Sequence, residues 1–469
     1  MPTAAVKKVP SHFDVIIIGA GIVGCAMARE FTLHGASVLS IEKGSDILAG
    51  ASKGNSAILH TGFDAPVNSL EHACIVESHQ EYLNIRAKLN LPISQTGALV
   101  TAWTAQQEEQ LQGILHKAHL NGVDDVELIG AKSVLKQEPG LSSNVRAAIH
   151  VPRESIIDPW TAPYVYMLQA LKNGAQLWRS TEVMGGVFEG ESWVLNTTQG
   201  VVKGDTVINC AGLYGDVLDT RLMQHSEFEI RPRKGQFIVY DKAASSLINA
   251  IILPVPNEIT KGVVVCKTIF GNVLVGPTAE EQPERDDASV NKATLEMLRQ
   301  KGEEILPGLG AMPITATFAG IRPATQFKDY CIHYERERNY ISVGGIRSTG
   351  LTAALGIAKK IYRDYENAGH QHAAVSEVVY PSVPPIAETE KRDWQCDGNG
   401  GIVCHCEWVT KREIELALEG AMPARSLSGL KRRTRVTMGR CQGFYCSAQL
   451  SEMTTGHFDN PMALEDDNE

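Results

Sequence analysis

The sequence predicts an α/β fold, with a second, β-rich domain inserted in it and a small helical domain at the C-terminal end. Three observations predict this. A strand, a glycine turn, a helix and a strand follow one another over Asp14–Lys43. A strand-rich stretch runs from about Glu227 to Pro277. Four of the ten cysteines cluster late, beyond a proline-bearing linker. The 469 residues are enough for two or three domains and a large buried core. The composition, 43% hydrophobic and 21% charged, is that of an ordinary globular protein. A net charge of −10 argues against a general nucleic-acid binder, which needs basic surface. No apolar run nears the ~18 residues of a membrane span. Met1–His12 holds two lysines but no apolar core, so no secretion signal is read there. The expected location is the cytoplasm, where most of the ten cysteines stay reduced. Attachment to the inner face of a membrane through partner subunits stays open.

In the first unit, Asp14–Ile18 reads as a strand, Cys25–His34 as a helix and Ser37–Ile41 as a second strand ending at Glu42. Gly19 makes the tight turn, Gly21 lets a pyrophosphate approach the backbone, and Gly24 lets helix and strand pack closely. The helix start then offers free N–H groups and a positive dipole end to phosphate. Glu42, twenty-one positions past Gly21, is placed to hold a ribose hydroxyl. This is a Rossmann-like dinucleotide site. The following Ala49–Gly62 is small and polar. Its backbone N–H groups and the Ser52 and Ser56 hydroxyls suit a second phosphate or a ring edge. His60, the one imidazole there, reads either as a structural histidine or as a functional one.

Leu70–Leu89 has helical spacing, Gln95–Thr101 reads as a strand, and Ala105–Asn121 as a solvated helix. Asp158-Pro159 marks a turn before a helix to Lys172, and Thr181–Val202 alternates as strand does. Thr206–Cys210 is an apolar strand running into Ala211, Gly212 and Asp216. That turn either floors the cofactor site or lets Asp216 cap a helix. Ile230–Tyr240, Val263–Cys266 and Asn272–Gly276 suggest an antiparallel sheet, and Ser289–Leu306 a helix. Thr315–Ala324 places Arg322 on a loop between strands. Tyr340–Val343 is a strand leading through Gly344, Gly345, Arg347 and Gly350 into an Ala-rich helix. That helix start can face the electron-rich end of a cofactor, which favours a flavin. His370–Lys391, with Pro381, Pro384 and Pro385, is the linker.

Beyond it, Cys404 and Cys406 form C-x-C, and Cys441 and Cys446 form C-x4-C, with thirty-four residues between the two pairs. Two thiolate pairs supply four soft ligands. The tight C-x-C suits an iron–sulfur cluster better than zinc, which prefers wider pairs. Lys431, Arg432, Arg433 and Arg435 read either as a solvated helix face or as a basic patch near the anionic cluster that raises its potential or docks an acidic partner.

Residues 14–365 resemble the FAD-dependent oxidoreductases of the D-amino-acid oxidase and glycerol-3-phosphate dehydrogenase group. The shared stretches are G-A-G-I-V-G, S-K-G-N-S-A-I-L-H-T-G-F-D, N-C-A-G-L-Y-G-D, R-P-R-K-G-Q, F-A-G-I-R-P-A and G-G-I-R-S-T-G-L-T. The second stretch is also similar to L-2-hydroxyglutarate dehydrogenases. Residues 403–446 resemble bacterioferritin-associated ferredoxin and the C-terminal domain of anaerobic glycerol-3-phosphate dehydrogenase catalytic subunits, although the chain stops soon after Cys446.

The resemblance implies an FAD-binding domain in three pieces, 12–90, 145–225 and 315–368. It implies a substrate domain at 91–144 and 226–314, a linker at 369–395 and a [2Fe–2S] domain at 396–455. FAD would lie along Gly19, Gly21, Gly24, Glu42 and Lys43, with Ser52, Asn55, Ser56, Ala211, Gly212, Gly350, Leu351 and Thr352 around it. His60 becomes the base for C–H/O–H oxidation, and Arg322 and Arg347 face an anionic substrate. Arg322 also reads as a structural arginine capping loop carbonyls. Cys404, Cys406, Cys441 and Cys446 would hold the cluster and pass electrons to a protein or a quinone-linked membrane subunit, in a hetero-oligomer. Glycerol 3-phosphate is the first expected substrate. L-2-hydroxyglutarate and amines are alternatives, as is a non-catalytic electron-transfer subunit.

Overall fold

The computed structural model describes residues 12–256 and 262–463. Apart from His12, the N-terminal stretch read for a secretion signal lies outside the described residues. The expected unit forms as β1 (His12–Ile18), α1 (Ile22–Leu33) and β2 (Val38–Ile41). Val15, Ile16 and Ile17 are buried on both sides of β1, as a central parallel strand requires. β1 pairs in parallel with β2 and with Gly200–Asn209.

These belong to an eight-stranded sheet. Beyond β2 lies Gln176–Trp178. Beyond Gly200–Asn209 lies the hairpin Val183–Glu189 and Ser192–Thr197, which occupies most of the alternating segment. Tyr340–Gly344 runs parallel to the end of Gly200–Asn209 and carries Cys331–Glu335 antiparallel on its edge. Helix Gly350–Asn367 packs on α1, where Phe31 meets Tyr362 and Tyr365 edge-on at 5.2 and 5.1 Å.

The second sheet has nine strands and mixed pairing. Ile230–Tyr240 and Ile314–Thr325 run antiparallel along nearly their whole length. This corrects one expectation: Arg322 is not on a loop but inside Ile314–Thr325, opposite Arg233. In the ladder Pro323 faces Pro232, and a pair that needs neither N–H accommodates both. Ala147–Val151 and Ile314–Thr325 also pair in this sheet, so it reaches past 91–144 and 226–314.

The linker is laid against the body. Val375 N–H donates to the Leu33 carbonyl at 3.0 Å, and Glu388 N–H to that of Ile269 at 3.0 Å. Asn173 holds Val379 through both backbone groups, and Ile386 and Ala387 are buried. The terminal module joins a short ribbon, Ile402–Cys404 with Val409–Thr410, to helices Lys411–Leu418, Leu427–Thr434 and Ser447–Met453. Among the described residues no helix is long and apolar enough to cross a membrane.

Candidate active site and thiol module

β1 ends on Gly19 at φ +104°, where a Cβ would lie 2.5 Å from the Cys210 carbonyl oxygen. At Gly24 a Cβ would lie 1.9 Å from the Gly19 carbonyl oxygen, so helix and strand touch there as the spacing predicts. Ser52 Oγ accepts from Ile22 N–H at 3.0 Å and so caps the first turn of α1. The Glu42 carboxylate accepts from the N–H groups of Ala20 and Gly44, both at 2.8 Å. Burial still raises its pKa above the ordinary 4.5.

A cavity of about 670 Å³ runs between the two sheets. One end is at Glu42 and Lys43, whose ammonium lies 3.5 Å above the Tyr214 ring. It passes Gly19, Gly21, Ser52, Asn55 and Ser56 and then Ala211 and Gly212. It ends between Gly320–Pro323 and Gly344–Leu351. An elongated, glycine-floored cleft that begins at a helix N-terminus fits an extended dinucleotide. Thirteen of the expected residues lie on its wall: Gly19, Gly21, Glu42, Lys43, Ser52, Asn55, Ser56, Ala211, Gly212, Arg322, Arg347, Gly350 and Leu351. Asn55 also shapes its loop, accepting from Ala57 N–H at 2.8 Å.

Gly24, Thr352 and His60 are not on that wall. Gly24 stands behind it. Thr352 is buried beneath and holds the strand Ile58–Leu59, donating to the Ile58 carbonyl at 3.1 Å and accepting from His60 N–H at 3.0 Å. His60 Nδ1 lies 2.9 Å from Glu154 Oε2. Glu154 is fully buried, and its Oε1 accepts from Thr61 N–H at 2.6 Å and Thr61 Oγ1 at 2.9 Å. A carboxylate in that setting accepts only, so the His60 proton is on Nδ1 and Nε2 carries the lone pair. Sequence reading missed Glu154, which lies ninety-four positions from His60. The antiparallel pairing of Leu59 with Ser155 brings the two together.

The two arginines differ. Arg322 is largely buried and donates to the carbonyls of Arg233, Lys234 and Thr278, at 3.4, 3.3 and 2.5 Å. No carboxylate lies within ion-pair distance of it among the described residues. Burial, then the neighbouring Arg233, pushes its pKa down to about 10. Arg347 donates to the Lys328 carbonyl and lies 3.9 Å from Glu71. The turn after Cys210 does line the cavity through Ala211 and Gly212, while Asp216 lies off its wall, inside the first turn of helix Gly215–Met223, where it accepts from Val217 N–H at 2.9 Å. Asp216 also accepts from Arg285 at 2.6 and 3.0 Å and from Ile230 N–H at 2.9 Å.

In the C-terminal module the Cys404 thiol contacts that of Cys446, and the Cys406 thiol that of Cys441. Burial and the thiol of Cys404 push Cys446 up to about 12. Among the described residues no three His, Cys, Asp or Glu side chains converge on one metal position. The two pairs also act on each other, Cys404 on Cys406 and Cys441 on Cys446, and a set of four thiolates in two pairs is the donor set that a [2Fe–2S] cluster takes. Of the basic residues beside them, Arg432, Arg433 and Arg435 form neither a solvated face nor a docking patch. Arg433 pairs with Asp46 at 2.9 Å, Arg435 donates to Asn272 at 3.2 Å as well as to Glu407 of its own module at 2.8 Å, and Arg432 donates to the Ile47 carbonyl at 3.0 Å. All three turn inward and fasten the module to the rest of the chain.

Comparison with known proteins agrees with this geometry. Residues 14–363 match the FAD dependent oxidoreductase family, and residues 402–454 the BFD-like [2Fe-2S] binding domain. A glycerol 3-phosphate dehydrogenase of Caloramator mitchellensis is 31% identical over 94% of this chain and 93% of its own. An anaerobic glycerol-3-phosphate dehydrogenase subunit from Escherichia coli K12 is 26% identical over 93% of this chain and 87% of its own. The FAD-bound, dithionite-reduced L-alpha-glycerophosphate oxidase of Mycoplasma pneumoniae superposes with a TM-score of 0.74 at 26% identity, over 80% of this chain and all of that one. The chain belongs to the FAD-dependent oxidoreductase family and carries a BFD-like [2Fe–2S] domain behind its flavin fold.

Proposed function

We propose that the chain is an FAD-dependent dehydrogenase that oxidises glycerol 3-phosphate and releases the electrons through the [2Fe–2S] cluster to a partner protein or a quinone-linked membrane subunit. The observation that carries the substrate class is Arg322: a guanidinium on the cavity wall, bonded to carbonyls alone and lacking a carboxylate. An unpaired cation in a cleft is a seat for an anion, and its planar fork suits a phosphate. Several relatives act on a phosphate ester of glycerol by their names, which supports the choice over a carboxylate substrate. When bound, FAD supplies the acceptor for a hydride and the cluster an acceptor of single electrons.

The chain's own residues do the rest. Arg322 anchors the phosphate, with Arg347 at the rim of the same end. His60, which stands off the cavity wall, is assigned the hydroxyl proton at Nε2, with Glu154 stabilising the imidazolium that results. Thr61 and Thr352 keep carboxylate and ring in register. Cys404, Cys406, Cys441 and Cys446 hold the cluster.

An anaerobic visible spectrum before and after adding glycerol 3-phosphate tests this. Bleaching of the flavin bands together with those of the cluster is expected. A flavin that stays oxidised with glycerol 3-phosphate but bleaches with L-2-hydroxyglutarate or an amino acid would overturn the substrate assignment.

A further inference from the structure

We infer that Trp160 and Phe270 form the bridge by which electrons pass from the dinucleotide cavity to the thiol module. The two redox sites belong to different domains, and the seam between them is mostly ion pairs and backbone bonds. Among the described residues it is aromatic at Tyr164, whose ring lies 5.0 Å from the Arg433 guanidinium, and at Phe270, and only the second is stacked on a residue bonded to the cavity wall. Trp160 Nε1 donates to the carbonyl of Lys53, a residue of the cavity wall, at 3.2 Å. Its indole stacks on the Phe270 ring, with centroids 5.3 Å apart and planes at 13°. The Arg435 guanidinium sits 4.1 Å from the centroid of the Phe270 ring. Arg435 Nε donates to Glu407 at 2.8 Å, and Glu407 directly follows the ligand Cys406. The series of contacts from cavity loop to cluster ligand is unbroken.

Phe270 and Arg435 are 3% and 4% exposed and Trp160 is half-buried, so the Phe270–Arg435 part of the path is closed to water. A stacked pair of conjugated rings in van der Waals contact couples donor to acceptor better than a gap, because a void removes the atoms that would carry the coupling. Trp160 and Phe270 bond neither substrate-facing arginine nor the His60–Glu154 pair, which leaves them without a part in the proton chemistry.

Each passage moves one electron, oxidising the reduced flavin by one and reducing the cluster by one. Two passages clear the electron pair of one hydride. Between them the cluster is discharged by a one-electron acceptor, for which ferricenium serves in the assay. The inference rests on the proposed exit of electrons through the cluster.

The test is anaerobic stopped-flow mixing of the holoenzyme with glycerol 3-phosphate. Flavin and cluster bands are followed separately, and the reduced cluster is counted by electron paramagnetic resonance. In Trp160→Leu and Phe270→Leu, flavin reduction should keep the wild-type rate while cluster reduction slows by about tenfold. Trp160→Phe, which retains a ring, should recover most of that rate. If a leucine variant fails to hold both cofactors, Phe270→Met carries the test, since it keeps the volume without the ring; the same slowing is expected. Cluster reduction at the wild-type rate in variants that hold both cofactors would overturn the bridge alone. A wild-type cluster that substrate never reduces would overturn the proposed exit of electrons, and the bridge with it.

Discussion

Replacing Glu154 with glutamine separates what its charge does from what its shape does. The carboxylate is fully buried and accepts three hydrogen bonds, two from Thr61 at 2.6 and 2.9 Å and one from His60 Nδ1 at 2.9 Å. A glutamine keeps its oxygen toward the two Thr61 donors. Its NH2 then faces Nδ1, and two donors cannot share that contact. The imidazole relieves the clash by moving its proton to Nε2, and the atom that should accept the substrate proton becomes a donor. The variant also lacks the charge that stabilises the imidazolium. One charge-assisted hydrogen bond is worth about 1.5–3 kcal/mol. At about 1.4 kcal/mol per decade, that is a loss of roughly 10- to 150-fold in the rate of flavin reduction. The assay is that rate at saturating glycerol 3-phosphate under anaerobic conditions, with substrate affinity measured alongside. Affinity should change little, since Arg322 carries it. A glutamine variant with full flavin content that reduces within about twofold of wild type would refute the assigned roles of both Glu154 and His60.

Three further outcomes follow from the same geometry. Gly24→Ala puts a Cβ 1.9 Å from the Gly19 carbonyl oxygen; overpacking of about 1–3 kcal/mol should weaken FAD affinity by roughly five- to 150-fold, read from flavin retained after dialysis. Asp46→Ala removes a buried carboxylate shared by Arg433 at 2.9 Å, Arg179 at 3.2 Å and Ser426 at 2.7 Å. Two buried guanidiniums lose their partner, at about 3–5 kcal/mol, and calorimetry should show the thiol module melting ahead of the flavin domain. His79 gives a pH signature. Burial, only partly opposed by Glu154, lowers its pKa below the ordinary 6.5. Above that value both folded and unfolded chains leave it neutral. As pH falls from 6.5 through the lower folded value, only the unfolded chain takes up the proton, so stability is lost across that window and then levels off. In His79→Leu, denaturation midpoints should fall less over the same range; an unchanged slope would remove His79 from the account.

The sequence carried the parts of this molecule whose chemistry is local. Gly19, Gly21, Gly24 and Glu42 state a dinucleotide site within one βαβ unit because each satisfies a backbone constraint a few residues away. The four cysteines state a cluster through spacing alone. What depends on pairing across the chain was not legible. Glu154 has no neighbour in sequence that marks it, and only the register of Ile58–Leu59 against Ser155–Ile157 brings it to His60. Arg322 was expected on a loop between strands; the pairing of Ile314–Thr325 with Ile230–Tyr240, Pro323 facing Pro232, makes it part of a strand. Arg432, Arg433 and Arg435 look solvated because charge usually is, and Asp46 and Glu407, the carboxylates of Arg433 and Arg435, are remote in sequence. The anionic seat at Arg322 was expected from resemblance, but its missing carboxylate is a fact only three dimensions supply.

The segment between the two cofactor-bearing parts has a mechanical consequence. A tether bonded at Leu33, Asn173 and Ile269, with Ile386 and Ala387 sunk beneath the surface, has no slack to let out. The thiol module is therefore a fixed mount and not a swinging arm. A swinging carrier is timed by solvent friction, and a mounted one by the atoms between its ends. Sucrose added to the buffer should slow the encounter with an external acceptor in proportion to viscosity, and leave the transfer inside the molecule untouched.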